Sequence, residues 1–147
     1  MQIQEIEYNN TLELRQKYLR PNLNKEECVY PGDIDETTYH LGCYIEESLV
    51  GIVSIYKRSN TNISKDTAYQ IRALTTEEAF RGKGVASTLL SSAEKKAFVE
   101  GAQYVWANAR ISVKDFYRKS GYRVSDDVFN VEGVGLHVIV CKTKSNY

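Results

Sequence analysis

The sequence predicts an α+β fold in which a mixed, mostly antiparallel central sheet is flanked by helices, and three observations predict it. Between residues 40 and 74 apolar side chains recur with a period of two, interrupted by polar turns at 46–48 and 60–66. From Ala86 the spacing lengthens to that of a helix. Beyond Gly101 a short apolar strand, a second helix and a closing strand follow.

Each element has its own signal. Residues 3–8 alternate weakly and read as a first strand. Residues 11–19 carry Leu12, Tyr18 and Leu19 among charged residues, a short helix that has to end at Arg20 because Pro21 disfavours helical backbone before it. Residues 21–38 are polar and turn-rich, a loop of a length that is uncommon without a function. Residues 40–45 (HLGCYI), the turn and residues 49–57 (LVGIVSIYK) make a hairpin, and residues 68–74 (AYQIRAL) add a third strand. Ala86, Leu89, Leu90, Ala93 and Ala97 fall on one helical face, with Gly101 as the stop. Residues 104–107 (YVWA) form a strand. Ser112 and Asp115 fit a capping box, opening a helix that puts Val113, Phe116 and Tyr117 on one face and ends at Gly121. Residues 135–141 (GLHVIVC) close the sheet.

The bulk properties bound the function. At 147 residues the chain makes one domain, 1–147, large enough for a core without disulfides or metals. Lys plus Arg and Asp plus Glu each number 19, and no basic run occurs, which argues against nucleic acid or an acidic membrane as partner. Cys28, Cys43 and Cys141 are odd in number and lack metal-ligand spacing, so neither a disulfide framework nor a metal site is expected. Three reduced thiols, no apolar leader and no run of membrane-span length predict a cytoplasmic location.

The chemistry concentrates in residues 81–86. A helix start leaves several N–H groups unpaired, and a Ser, Thr, Asp or Asn side chain normally takes one of them. Here the positions before the helix are Gly82, Lys83, Gly84 and Val85, none of which can cap. Two glycines alone would make only a tight turn. With Arg81 and Lys83 beside a partly positive helix end, the segment reads as an anion site fit for a diphosphate. It is not a P-loop, because Gly rather than Ser or Thr follows Lys83. Nor is it a good dinucleotide fingerprint, since Ser87 stands in the third glycine position and residues 75–80 separate strand from loop.

Arg81-x-x-Gly84-x-Ala86 resembles the acyl-CoA signature of the GNAT superfamily, and Ile71, Arg72, Ala73, Leu74, Thr75 and Thr76 resemble the strand before it. Trp106 to Arg110, followed by Asp115, Phe116, Tyr117 and Gly121, is similar to that family's next strand and helix. The resemblance spans roughly residues 68–124 and implies a splayed strand pair holding the pantetheine arm of acetyl-CoA. It implies that Leu74, Thr75 and Thr76 bind the arm, and that Arg81, Gly82, Lys83, Gly84, Val85 and Ala86 bind the pyrophosphate. It also implies an N-acetyltransferase acting on an amine acceptor, a small molecule or peptide, and a homodimer, although no stripe in the sequence marks an interface.

Amine acylation needs a deprotonated amine and a proton for the departing thiolate. By type alone Tyr117 is one of 11 tyrosines and a core residue; the resemblance makes it the general acid. Asn108 is either a pantetheine ligand or an ordinary turn residue. Candidates for the base are Glu77, Glu78, Asp33, Asp35, His40 and His137, of which His137 interrupts an apolar strand and is singled out. Asp33, His40 and Arg110 are the candidate acceptor contacts, Arg110 through a carboxylate or phosphate or else as a surface turn residue. The segment 21–38, with Tyr30, is expected in the acceptor wall. Two other readings stay open at this point: an acyl-CoA sensor without turnover, and a nucleotide-dependent enzyme.

Overall fold

The computed structural model describes residues 1–146. Eight strands form one sheet: β1 (Gln2–Ile6), β2 (Tyr39–Ile45), β3 (Ser48–Lys57), β4 (Ala68–Thr76), β5 (Tyr104–Arg110), β6 (Arg123–Val124), β7 (Phe129–Val131) and β8 (Gly135–Thr143). The helices are α1 (Leu12–Tyr18), α2 (Val85–Val99) and α3 (Lys114–Lys119). The spatial order is β1-β2-β3-β4-β5-β8-β6, with β7 also on β8. Among the described residues every strand pairing is antiparallel except β4 with β5, as the sequence led one to expect. The unexpected β6 and β7 are two and three residues long, too short to show a period.

The strands sort their side chains by the pleat. Val53, Ile55, Tyr69 and Ile71 pack with Leu89, Leu90 and Ala93 of α2 in the main core. Ser54 pairs with Arg72 and Tyr56 with Gln70 across β3 and β4, so these four point to the opposite face, where α1 lies. Gly51 lets α2 approach: a Cβ there would stand 2.7 Å from Val85 Cγ1 and 2.8 Å from Leu89 Cδ1.

Two local expectations change. The buried face of α2 starts at Val85 rather than Ala86, and Ala86 turns to the side. The capping box at Ser112 does not form. A 3-10 turn over Ile111–Val113 already winds Ser112 into helical backbone, whereas a capping residue needs an extended one. Val113 heads α3 without a side-chain cap, and Asp115 pairs with Arg118 at 2.8 Å instead.

Beneath the 21–38 segment lies a buried polar cluster. Arg15 of α1 is fully buried; its Nη1 donates to the Cys28 carbonyl (3.0 Å) and Asp33 Oδ2 (2.7 Å), and its Nη2 to Asp33 Oδ1 (3.1 Å), Ser54 Oγ (3.0 Å) and the Tyr56 hydroxyl (3.2 Å). Tyr56 in turn donates to Asp33 Oδ1 at 2.5 Å. His40 Nε2 lies 2.9 Å from the Asp33 carbonyl, which can only accept, so Nε2 carries the proton and Nδ1 accepts from Ser54 Oγ at 2.7 Å. His40 is therefore neutral, and burial lowers its pKa. For Asp33 burial works upward, but hydrogen bonds from Arg15 and Tyr56 win and hold the carboxylate below its ordinary range.

Removing one partner should be costly. Asp33→Asn leaves the Arg15 charge buried and unopposed, and a loss of roughly 3–5 kcal/mol is expected by denaturant unfolding. The pH dependence has a definite sign. Both Asp33 and His40 have lowered pKa values in the fold, so the unfolded chain binds protons first. Their contribution is present above about pH 6.5 for His40 and about pH 3.9 for Asp33, and is lost as the pH falls through the folded values. Melting temperature should drop in two steps on acidification from neutrality, and His40→Gln should remove the upper step alone.

Candidate active site

The parallel neighbours β4 and β5 pair at only three positions, Ala68 with Tyr104, Tyr69 with Val105 and Gln70 with Trp106. Beyond them β4 stays with β3 while β5 stays with β8, and the two part as a V. At Ala73 the backbone enters the left-handed region with φ of 59°, rare for a residue with a side chain, and the register against β3 shifts between Ile52 and Ser54. The result is a β-bulge, which bends its strand and increases its twist. It leaves Leu74, Thr75 and Thr76 without a strand partner on the β5 side.

A cleft of about 1020 Å³ fills the V. Its walls come from Lys17 to Arg20 at the end of α1, from β4, from the start of α2, from the far half of β5 and from α3. That volume suits a ligand of cofactor size. At one end stands the start of α2. Gly84 caps the helix in the left-handed conformation (φ 84°), Gly82 shares it (φ 77°), and no side chain caps the N–H groups. A Cβ on either glycine would meet nothing within 4 Å, so φ selects glycine here and the space above the loop is open. Thr88 Oγ1 donates back to the Gly84 carbonyl at 2.8 Å and leaves the amides alone.

The cations of this loop are held in place. Arg81 Nε donates to the Thr76 carbonyl (3.2 Å) and its guanidinium lies 4.9 Å from the centre of the Tyr18 ring; Lys83 Nζ stands 5.3 Å over Phe80. The Tyr18 hydroxyl donates to Glu77 and accepts from the Glu78 N–H at 2.9 Å, tying α1 to the end of β4. Thr75 Oγ1 and Thr76 Oγ1 are buried without any hydrogen-bond partner. Such hydroxyls are costly unless something in the cleft meets them. Lys83 itself is exposed and outside the cleft lining, whereas an uncapped helix start, the Arg81 guanidinium, an unpaired strand edge and two orphaned hydroxyls fit one extended ligand with a diphosphate at one end and amides along its arm. The 3-10 turn Glu78–Phe80 between β4 and Gly82 is not the tight strand-to-glycine connection of a dinucleotide fold.

Tyr117 of α3 also lines the cleft. Its ring packs edge-on against Phe116 (5.3 Å) and Tyr122 (5.2 Å), and among the described residues its hydroxyl has no hydrogen-bond partner. Burial, with a smaller push from Glu94, raises its pKa well above the ordinary value, so it keeps its proton. The helix is clamped from behind: Tyr122 donates to Glu94 Oε2 at 2.6 Å, and Lys142 Nζ bridges Glu94 Oε1 (3.1 Å) and the Ser120 carbonyl (3.0 Å).

His137 lines the cleft from β8, directly across from Arg110 of β5. It is buried, stacked on Phe129 at 5.8 Å, and its Nδ1 lies 2.8 Å from the Gly135 carbonyl. Because that carbonyl can only accept, Nδ1 is a donor, and in the neutral ring Nε2 is then the nitrogen with the lone pair. Asn108 and Arg110 line the same wall.

The other sequence candidates lie elsewhere. Asp33 and His40 are outside the cleft lining, committed to the Arg15 cluster. Glu77 is outside it too, its pKa lowered by hydrogen bonds from Lys17 (2.6 Å) and Tyr18. Glu78 and Asp35 do not line it, and of residues 21–38 only Tyr30 does. The sequence reading missed Arg72, which lines the cleft with its guanidinium 4.3 Å over the Tyr30 ring. The available signal was alternation: Gln70 and Arg72 share the face opposite Tyr69 and Ile71. Among the described residues no His, Cys, Asp or Glu cluster is arranged to hold a metal ion, and no helix is long and apolar enough to cross a membrane.

Known proteins share this fold. The family model of the acetyltransferase (GNAT) domain matches residues 9–142. The N-acetyltransferase YitI of Bacillus subtilis (strain 168) is 34% identical over 143 residues, covering 97% of this chain and 96% of the relative. Among solved structures, an aminoglycoside 6'-N-acetyltransferase complexed with coenzyme A superposes with a TM-score of 0.78 at 15% identity, over 97% of both chains. ElaA of Escherichia coli gives a TM-score of 0.76 at 18% identity, over 96% of this chain and 98% of its own. The last two show a common fold, and the family model with the sequence relative shows descent: this chain belongs to the GNAT family of acetyl-CoA-dependent acetyltransferases.

Proposed function

We propose that this enzyme transfers the acetyl group of acetyl-CoA directly to a primary amine of a small molecule or peptide, with both substrates bound at once. The observation that carries the reading is one cleft onto which the uncapped start of α2, the unpaired edge of β4, Tyr117 and His137 all open. Leu74, Thr75 and Thr76 hold the pantetheine arm, assisted by Asn108. Arg81, Gly82, Lys83, Gly84, Val85 and Ala86 hold the pyrophosphate through N–H groups and charge.

Acetyl-CoA, when bound, supplies the acyl group as a thioester whose thiol has to leave. Tyr117 holds a proton at its hydroxyl that it gives up to nothing else in the fold, and so acts as general acid at the sulfur. His137 takes the amine proton at Nε2, the ring nitrogen that does not bond the Gly135 carbonyl. Asp33 and His40 serve the acceptor side indirectly: Asp33 Oδ2 accepts from the Tyr30 N–H at 2.7 Å, and His40 holds the Asp33 backbone, which together set the Tyr30 wall.

Three measurements test this. Acetyl-CoA or coenzyme A at about 100 times its dissociation constant should stabilise the protein by roughly 2.7 kcal/mol, a shift of about 5–10 °C at this size. NADPH should not, and Arg81→Ala or Gly84→Glu should abolish the shift; no shift with coenzyme A, or one with NADPH alone, would sink the reading. Tyr117→Phe should lower kcat by about 10²- to 10⁴-fold with acetyl-CoA binding nearly intact; unchanged turnover removes Tyr117 from the mechanism. His137→Gln should lower kcat by about 10²- to 10⁴-fold with coenzyme A binding intact, and unchanged turnover assigns the base elsewhere.

A further inference from the structure

The cleft is electrostatically one-sided. Lys17, Arg20, Arg72, Arg81 and Arg110 all line it, while none of its described lining residues is Asp or Glu. The chain as a whole has as many acidic as basic residues, so this bias is local and not a general surplus. The nearby carboxylates are already spent: Asp33 on Arg15, and Glu77 on Lys17 and Tyr18.

Arg81 and Lys83 sit at the diphosphate end. Arg72 and Arg110 do not. Gln70 of β4 is registered with Trp106 of β5; Arg72 is two residues beyond the first and Arg110 four beyond the second, so both share one sheet face. His137, paired with Arg110, joins that face. Arg72 is half-buried with its guanidinium 4.3 Å from the Tyr30 ring and 5.9 Å from the Tyr56 ring. Among the described residues it has no hydrogen-bond partner and no carboxylate, and burial lowers its pKa. A guanidinium placed over an aromatic ring, partly desolvated and without a partner among the described residues, keeps its N–H donors for whatever enters.

Resting on the acetyltransferase reading above, we propose that the acceptor is a small amine that also carries a carboxylate, of the amino-acid class, with Arg72 binding that carboxylate and Arg110 assisting across from His137. The carboxylate gives Arg72 charge-assisted, bidentate hydrogen bonds. With the carboxylate fixed, the neighbouring ammonium lies on the face that holds His137, its proton acceptor. With Lys17 paired to Glu77 and Arg81 at the diphosphate end, a polycation such as a polyamine or an aminoglycoside still meets Arg20, Arg72 and Arg110 and no acid among the described lining residues, which disfavours it.

The test uses the full-length enzyme with two readouts: thiol release with acetyl-CoA, and thermal shift of the coenzyme A complex. The probes are the proteinogenic L-amino acids one by one, the carboxamide of each that acts, phosphoethanolamine, spermidine and kanamycin. At least one amino acid should further stabilise the coenzyme A complex and be acetylated, and its carboxamide should lose roughly 100-fold in kcat/KM. Arg72→Gln should erase that discrimination while keeping the wild-type coenzyme A shift, which also certifies its fold. The inference is overturned if carboxamides match their acids, if no amino acid stabilises the complex, or if spermidine, kanamycin or phosphoethanolamine is preferred. Failure of coenzyme A itself to bind would instead sink the broader acetyltransferase reading.

Discussion

The separation of β4 from β5 is the constraint on which the rest of this molecule depends. Parallel neighbours in a sheet normally satisfy each other's backbone along their length, because an unpaired buried N–H or C=O costs as much as a lost hydrogen bond. Here the pairing stops at Gln70 and Trp106. The bulge at Ala73 turns β4 outward, and antiparallel pairing with β3 and with β8 secures each strand on its other side. The sheet can afford the gap because its two halves are bridged from above by α2 and α3, whose side chains share one core with both. The orphaned hydroxyls of Thr75 and Thr76 stand at the edge so created.

Charge is distributed to the same end. The buried Arg15 cluster consumes Asp33, Ser54, Tyr56 and His40 in one hydrogen-bonded set that leaves only the Arg15 Nε without a partner among the described residues, and so fixes the 21–38 segment against the sheet. A set of this kind tolerates no missing member, since a buried charge without its partner is far costlier than the pair is stabilising. One consequence lies close by: with the local acids bound inward, Tyr30 and Arg72 line the cleft, and among the described residues no carboxylate neutralises the guanidinium. The cleft's electrostatics thus follow from how the acids are spent in the core beneath it.

Local chemistry was legible before any fold was known. The uncapped helix start at residues 81–86 was readable because a missing cap, two glycines and two cations are properties of contiguous residues, and the described backbone has both glycines left-handed and the helix uncapped. The β2–β3 hairpin and α2 were legible because their apolar periods are long. The Ser112 capping box was not realised, since a preceding 3-10 turn had already set that backbone. Asp33 and His40 carried the right chemistry for a site but were drawn into the core by Arg15, a helix residue whose burial nothing in its neighbourhood signals.

By itself the sequence determined the periodicity of the elements, the mixed sheet they build, the uncapped glycine loop before α2 and the tyrosine of α3, all features written in residues a few positions apart. Only the tertiary structure decided which titratable groups face the cleft. That choice depends on strand register and on which buried charges find each other across 14 to 41 residues of chain, from His40–Ser54 to Arg15–Tyr56. Register moves a side chain from one face of a sheet to the other with a slip of one residue. No local pattern records it, and so His137 came to the site while His40 went to the core.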